Sequence, residues 1–195
     1  MELLARHGIL QNFYLAGGTA AALYLGHRIS EDFDFFSRDD FNTFDLIQRL
    51  SELGSFALSR EDHGTVHGLL NGVKLSFLLY KYPLLYPTES FMGCQLADLR
   101  DIALMKITAI SSRGSKKDFI DLYFITQEII DLKSLMGLFE KKYKRVAYSK
   151  YHLIRSIGYF EDAEREVNPL MLKPVKWEDV KEYFLRQQRE LMQTL

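Results

Sequence analysis

Apolar residues fall into two regimes along the chain. Up to about residue 80, two short helical segments apart, they come in short runs or alternate with polar positions. From Ala97 onward they recur at helical spacing. Phe13-Tyr14-Leu15-Ala16 is a short apolar run ending at Gly17-Gly18, the pattern of a buried strand that meets a tight turn. Residues 19–25, rich in Ala and Leu, predict a short helix with Gly26 as its C-terminal cap. Asp32-Phe33-Asp34-Phe35-Phe36 alternates like a strand, with Phe33 and Phe35 toward the core. Phe44, Ile47, Leu50 and Leu53 form a helical stripe closed by Gly54. Strands over 55–60 and 65–70 flank Asp62-His63-Gly64. Asn71-Gly72, two residues that tolerate positive φ, predicts a hairpin into a strand over 73–80. Pro83 and Pro87 mark a loop expected to end the sheet region. Helices are predicted over 98–111, 118–130, 134–143, 150–166 and 177–193. In the second of these, Phe119, Leu122, Tyr123, Thr126, Ile129 and Ile130 make the apolar face. Strands first and helices later argue an α+β fold. The expected division is a core over residues 1–95 and a helical region over 96–195 packed on it and completing the active site.

Composition narrows the class. With 195 residues, 47% hydrophobic and 13% aromatic, the chain can bury a substantial core and is not a disordered segment. Twenty-five basic and 26 acidic residues leave a net charge of -1, so any nucleic-acid contact has to be a local patch. The single cysteine, Cys94, excludes an internal disulfide framework and predicts a reducing, cytoplasmic setting. Residues 1–6 lack the basic start and long apolar run of a signal peptide, and no run approaches the ~18 apolar residues of a membrane span.

Two features suggest chemistry. Residues two apart on a strand share a face, so Asp32 and Asp34 project together. Adjacent carboxylates repel, and a divalent cation relieves that repulsion. Mg²⁺ takes one or two protein carboxylates together with phosphate oxygens. Gly17-Gly18-Thr19, between a strand and a helix, exposes backbone N–H groups where a phosphate can bind. Taken singly, an Asp-x-Asp is most often an exposed strand end and a glycine pair a plain turn.

Together they carry a resemblance. Leu15-Ala16-Gly17-Gly18-Thr19, a short helix, and Asp32-Phe33-Asp34-Phe35, with 13 residues between Gly18 and Asp32, resemble the signature of the DNA polymerase β nucleotidyltransferase superfamily. The fuller string through Leu25-Gly26-His27-Arg28-Ile29-Ser30-Glu31 is similar to the AbiEii branch, nucleotidyltransferase toxins of bacterial toxin–antitoxin and abortive-infection systems. Leu104-Met105-Lys106-Ile107-Thr108-Ala109-Ile110 with Arg113, and Lys117-Asp118-Phe119-Ile120-Asp121-Leu122, are similar to that family's later motifs. The resemblance implies a polymerase β-type core, a small mixed sheet with flanking helices, followed by a helical C-terminal region. It implies transfer of a nucleoside monophosphate from a nucleoside triphosphate to an acceptor hydroxyl. Asp32 and Asp34 would hold Mg²⁺ or Mn²⁺, and Gly17, Gly18, Thr19, Lys106 and Arg113 would bind the nucleotide. Asp121 would act as an acid/base or orienting group. A tRNA 3′ end is the implied acceptor and an antitoxin protein the implied partner. An antibiotic or other small molecule is the alternative acceptor.

The pattern departs from the superfamily at one place. A third carboxylate often lies on a later strand, and Ser76 in Val73-Lys74-Leu75-Ser76-Phe77-Leu78 stands there. A serine supplies neither charge nor a proton acceptor, so a degenerate nucleotide- or partner-binding module is a further alternative. Arg28 is a second candidate for phosphate contact. The stretch Lys141-Lys142-Tyr143-Lys144-Arg145, with Tyr148, Lys150 and Tyr151, has the residue types of an RNA contact. His63 and His67 lie four apart beside Asp62, but on strand and turn they lack a third ligand nearby for zinc.

Overall fold

Seven strands hydrogen-bond into one mixed sheet, in the order β3-β4-β5-β2-β1-β7-β6. The computed structural model describes residues 1–194. In chain order the elements of the first part are α1 (Glu2–Arg6), β1 (Tyr14–Ala16), α2 (Gly17–Leu25), β2 (Phe33–Ser37), α3 (Thr43–Glu52), β3 (Phe56–Asp62), β4 (Thr65–Leu70), β5 (Val73–Leu79), β6 (Glu89–Phe91) and β7 (Cys94–Leu96). They are followed by α4 (Leu99–Ser112), α5 (Lys116–Glu128), α6 (Leu132–Lys142), α7 (Lys150–Ser156), α8 (Glu161–Glu164) and α9 (Trp177–Met192). The expected α+β class holds. The chain divides into two compact units, each discontinuous in sequence. One comprises Met1–Ala20 and Ser30–Asp98; the other comprises Ala21–Ile29 and the chain from Leu99 onward.

In the sheet unit, β2 runs parallel to β5 and β1 parallel to β7, while the remaining pairs are antiparallel. Asn71 and Gly72, at φ 50° and 81°, form the two-residue turn that joins β4 to β5 in register, Leu70 opposite Val73. The buried face is aromatic. Phe13 lies 5.1 Å from Phe77, edge-on, and Phe77 stacks at 5.1 Å on Phe35. Leu46 and Leu50 of α3 are buried on the same unit. Asn42 caps α3, accepting a hydrogen bond from the backbone of Asp45.

The proline loop does not end the sheet. Beyond it, β6 and β7 form a further hairpin through Met92 and Gly93, again at positive φ, and β7 joins β1. Three-residue strands are too short for alternation to register.

In the helical unit, the predicted helix over 150–166 is two helices, α7 and α8, separated around Gly158. A Cβ at Gly158 would stand 2.4 Å from the Gln188 side chain, so a larger residue there requires the end of that side chain to shift. The apolar face expected on α5 is also revised. Phe119, Ile120, Asp121, Leu122, Phe124 and Ile125 are all buried and encircle the helix, while Ile129 is exposed. Phe119 packs within 5.0 to 6.0 Å of Phe160, Trp177 and Phe184. The first turn of α5 is capped from a distance. Glu166 Oε2 accepts from the Lys116 backbone N–H at 2.8 Å and from Ser115 Oγ at 2.9 Å, and Lys116 Nζ donates to the Glu166 carbonyl at 2.6 Å.

Candidate active site

In the sheet unit, the glycine turn and the acidic pair come together. β1 ends at Ala16, whose register partner on β2 is Asp34. Gly17 follows at φ +69°, and a Cβ there would lie 3.0 Å from Asp34 Oδ2. The carboxylate therefore sits against the start of α2, where the first helical N–H groups have no partner within the helix. Among the described residues, no hydrogen bond or ion pair engages the Asp34 carboxylate. Asp32 stands just before β2 and is 47% exposed, with Lys74 Nζ 3.4 Å away. Its backbone is fixed by Thr19, whose buried hydroxyl bonds to the Asp32 carbonyl and lies 2.8 Å from Ser30 Oγ. Thr19 thus positions the acidic segment through its hydroxyl. The donor set, two carboxylates with hard oxygens, fits Mg²⁺ or Mn²⁺.

Ser76 is the register partner of Asp34 on β5 and is buried. The sequence placed the missing third acid there, and the strand pairing agrees.

In the helical unit, the other predicted residues form a buried charge cluster. Asp121 is wholly buried. Arg28 grips it with two hydrogen bonds, Nε to Oδ1 at 2.6 Å and Nη2 to Oδ2 at 2.9 Å. Lys106 Nζ lies 2.6 Å from Oδ2, and His27 Nε2 lies 2.7 Å from Oδ1. A carboxylate only accepts, so the His27 proton facing it is on Nε2. Burial works against the Asp121 carboxylate, but Lys106, Arg28 and His27 outweigh it and hold the carboxyl well below its ordinary range. Burial likewise disfavours the Lys106 ammonium, and the charges of Asp121 and Asp118 outweigh it and raise its pKa. Asp118 receives Lys106 Nζ at 2.8 Å and Arg113 Nε at 3.0 Å.

These placements bear on three expectations. Lys106, implied as a nucleotide contact, is buried between two carboxylates. Arg28, the second phosphate candidate, is buried against Asp121. Its backbone is clasped by residues 170–173, with Met171 opposite Arg28 and Ile29 N–H on the Leu170 carbonyl at 2.9 Å. Lys142, in the basic stretch, is wholly buried on Asp101 at 2.5 Å. Arg113 keeps the exposure a ligand contact needs, at 69% of its side chain, and Asp118 aims it.

The sequence reading passed over Ser30, Lys74 and the pairing of His67 with Ser76. Counting outward from Asn71-Gly72 would have found the last: 70 opposite 73 puts 67 opposite 76. The charge cluster joins side chains 93 and 94 residues apart and has no local signal.

The model of the family described as "Nucleotidyl transferase AbiEii toxin, Type IV TA system" matches residues 2–83. Over 198 aligned positions the chain is 40% identical to an uncharacterised protein of Aquifex aeolicus (strain VF5), covering 99% of this chain and 94% of that one. Its fold is similar to that of a Helicobacter pylori protein described as a nucleotidyltransferase, with a TM-score of 0.57, 18% identity, and coverage of 100% of this chain and 90% of that one. It is also similar to MenT4, a nucleotidyltransferase toxin of Mycobacterium tuberculosis H37Rv, with a TM-score of 0.56, 14% identity, and coverage of 96% and 82%. The chain is therefore a nucleotidyltransferase and belongs to the AbiEii family.

Proposed function

We propose that the chain transfers a nucleoside monophosphate from a nucleoside triphosphate to an acceptor hydroxyl, as a toxin held in check by an antitoxin protein. The observation that carries this is the Asp34 carboxylate lying against Gly17 at the start of α2, with Asp32 tied down by Thr19. Asp32 and Asp34 would hold Mg²⁺ or Mn²⁺, which supplies charge neutralisation on the phosphates and alignment of the attacking and leaving oxygens. The N–H groups of Gly17 and Gly18 take phosphate oxygens at the helix start. Arg113, aimed by Asp118, takes a further phosphate as a planar fork. Lys106 and Asp121 act from behind, as the buried supports of that arginine's partner. We assign the acceptor to the 3′ end of a tRNA and the setting to the cytoplasm. The family description of a toxin–antitoxin system supports the antitoxin partner.

The deciding experiment incubates the full chain with Mg²⁺, each α-labelled nucleoside triphosphate in turn, and total bacterial RNA. Label should appear in the tRNA fraction for one nucleotide and vanish in the Asp32→Ala, Asp34→Ala double variant. Label on an aminoglycoside in place of RNA would reassign the acceptor.

One observation favours a second reading. Ser76, beside Asp34, leaves that row of the sheet without a third carboxylate. A chain that binds nucleotide without releasing pyrophosphate would be a binding module.

A further inference from the structure

The row of side chains through Asp34 runs on across the sheet. Ser76 on β5, His67 on β4 and Arg60 on β3 follow in register. Register partners share a face, so these four project together, while Leu75 and Phe77 on either side of Ser76 are buried on the opposite face. His67 Nδ1 and Ser76 Oγ are 3.0 Å apart. His67 is half-buried. Two strand spacings, about 10 Å, separate its backbone from that of Asp34. Ser76 stands between them, and its 3.0 Å contact with Nδ1 turns the imidazole toward the Asp34 side.

A serine in the third-acid position is inert as a base, but the residue bonded to it is not. When Nδ1–H donates to Ser76 Oγ, Nε2 keeps its lone pair and the ring orientation is fixed. The serine hydroxyl, accepting from His67, has its own proton to offer toward Asp34. The charged groups on this face around His67 are Arg60 from β3, which is engaged by Asp62, Lys74 from β5, which is engaged by Asp32, and Asp34 from β2. Among the described residues, none of them forms a hydrogen bond or ion pair with the imidazole.

We infer that His67, oriented by Ser76, is the proton acceptor of the transfer reaction, in the part a third carboxylate would otherwise play. The inference rests on the role proposed for Asp32 and Asp34. Nε2 takes the proton of the acceptor hydroxyl as that oxygen forms its bond to the α-phosphorus. The bond from the α-phosphorus to the bridging oxygen breaks, and pyrophosphate leaves with its electron pair. The imidazolium then returns its proton to water, so atoms and charge balance without a further reactant.

The test measures labelled transfer by the wild-type chain and three variants across pH 6 to 9, with kcat separated from the nucleotide KM. His67→Asn sets an amide near the position of Nδ1 and keeps the bond to Ser76, but it has no base. It and His67→Ala should each lower kcat by roughly 10²- to 10⁴-fold, with KM changed less than about twofold. The pH profile of kcat should lose, in both variants, a limb that the wild type shows. His67→Ala, Ser76→Asp, which restores a carboxylate beside Asp34, should recover at least about tenfold over His67→Ala. A His67→Asn variant with wild-type kcat and the wild-type pH limb would overturn the inference. Should the alanine variant fail to fold, the asparagine variant decides alone. A wild-type chain that transfers no label removes the proposed role of Asp32 and Asp34, and this inference with it. Transfer abolished by Asp34→Ala but indifferent to His67 removes this inference only.

Discussion

At Gly17 two independent constraints meet. Its φ of +69° disfavours any side chain by roughly 1–2 kcal/mol, and a Cβ would also press to 3.0 Å from the Asp34 carboxylate. Gly17→Ala should therefore lower the denaturation midpoint by an amount equivalent to about 1–2 kcal/mol or more. It should weaken nucleotide-dependent activity beyond what that loss explains, because Asp34 has to move. A variant with normal stability and turnover would show that the close approach is not needed. Asp121 carries a different constraint. Its carboxylate is the shared partner of Arg28, Lys106 and His27. Asp121→Asn leaves buried cations uncompensated and should destabilise by about 3–5 kcal/mol in urea denaturation. A shift below about 1 kcal/mol would mean that the cluster adjusts its own charge.

At the scale of elements, the first turn of α2 and the segment entering β2 are joined by one hydroxyl. Thr19→Val keeps the shape and removes the bonds to the Asp32 carbonyl and Ser30. Fold stability should fall by only about 1 kcal/mol. Transfer should fall further, by at least about tenfold, since displacing a catalytic group by about 1 Å can lower a rate by about 10²-fold. Equal losses in stability and rate would mark Thr19 as a packing residue alone. The same scale shows which parts of the fold the chain advertises. Asn71-Gly72 betrays its hairpin because few residue pairs accept two positive φ angles, and Gly26 betrays the end of α2 at φ +57°. β6 and β7 stay hidden because three residues cannot display an alternation, and the Met92-Gly93 turn between them lacks the usual Asn or Asp. α5 misleads for another reason. Its Asp118 and Asp121 look like a polar face, yet both are buried because cations from elsewhere in the chain meet them. The strand and turn that carry Asp34 and the glycine pair were readable because each is local. The burial of Lys106 and Arg28 was not, because it depends on partners far away in sequence.

For the whole molecule, charge is nearly balanced at -1, and none of the described helices is long and apolar enough to cross a membrane. Its dependence on pH follows from the cluster around Asp121. That carboxyl's folded pKa lies below its unfolded value of about 3.9, so its stabilisation is complete above that value. It is lost as pH falls toward the folded pKa. Lys106 is raised, so its contribution is complete below an unfolded pKa of about 10.4 and is lost as pH rises beyond it. Urea midpoints should fall below about pH 4 and again above about pH 10. Asp121→Asn should flatten the acid limb relative to wild type; an unchanged acid limb would assign it to other carboxylates.

The cap on α5 has a consequence in time. Ser115 and the first N–H of α5 have their acceptor in Glu166, and Lys116 donates to the backbone of that same residue, 50 positions later. At about 5–20 residues per second, synthesis of that stretch takes roughly 2.5–10 s. During that interval the helix bearing Asp118 and Asp121 has been made, but the residue that closes its first turn has not. The start of that helix is thereby kept incomplete until most of the chain exists.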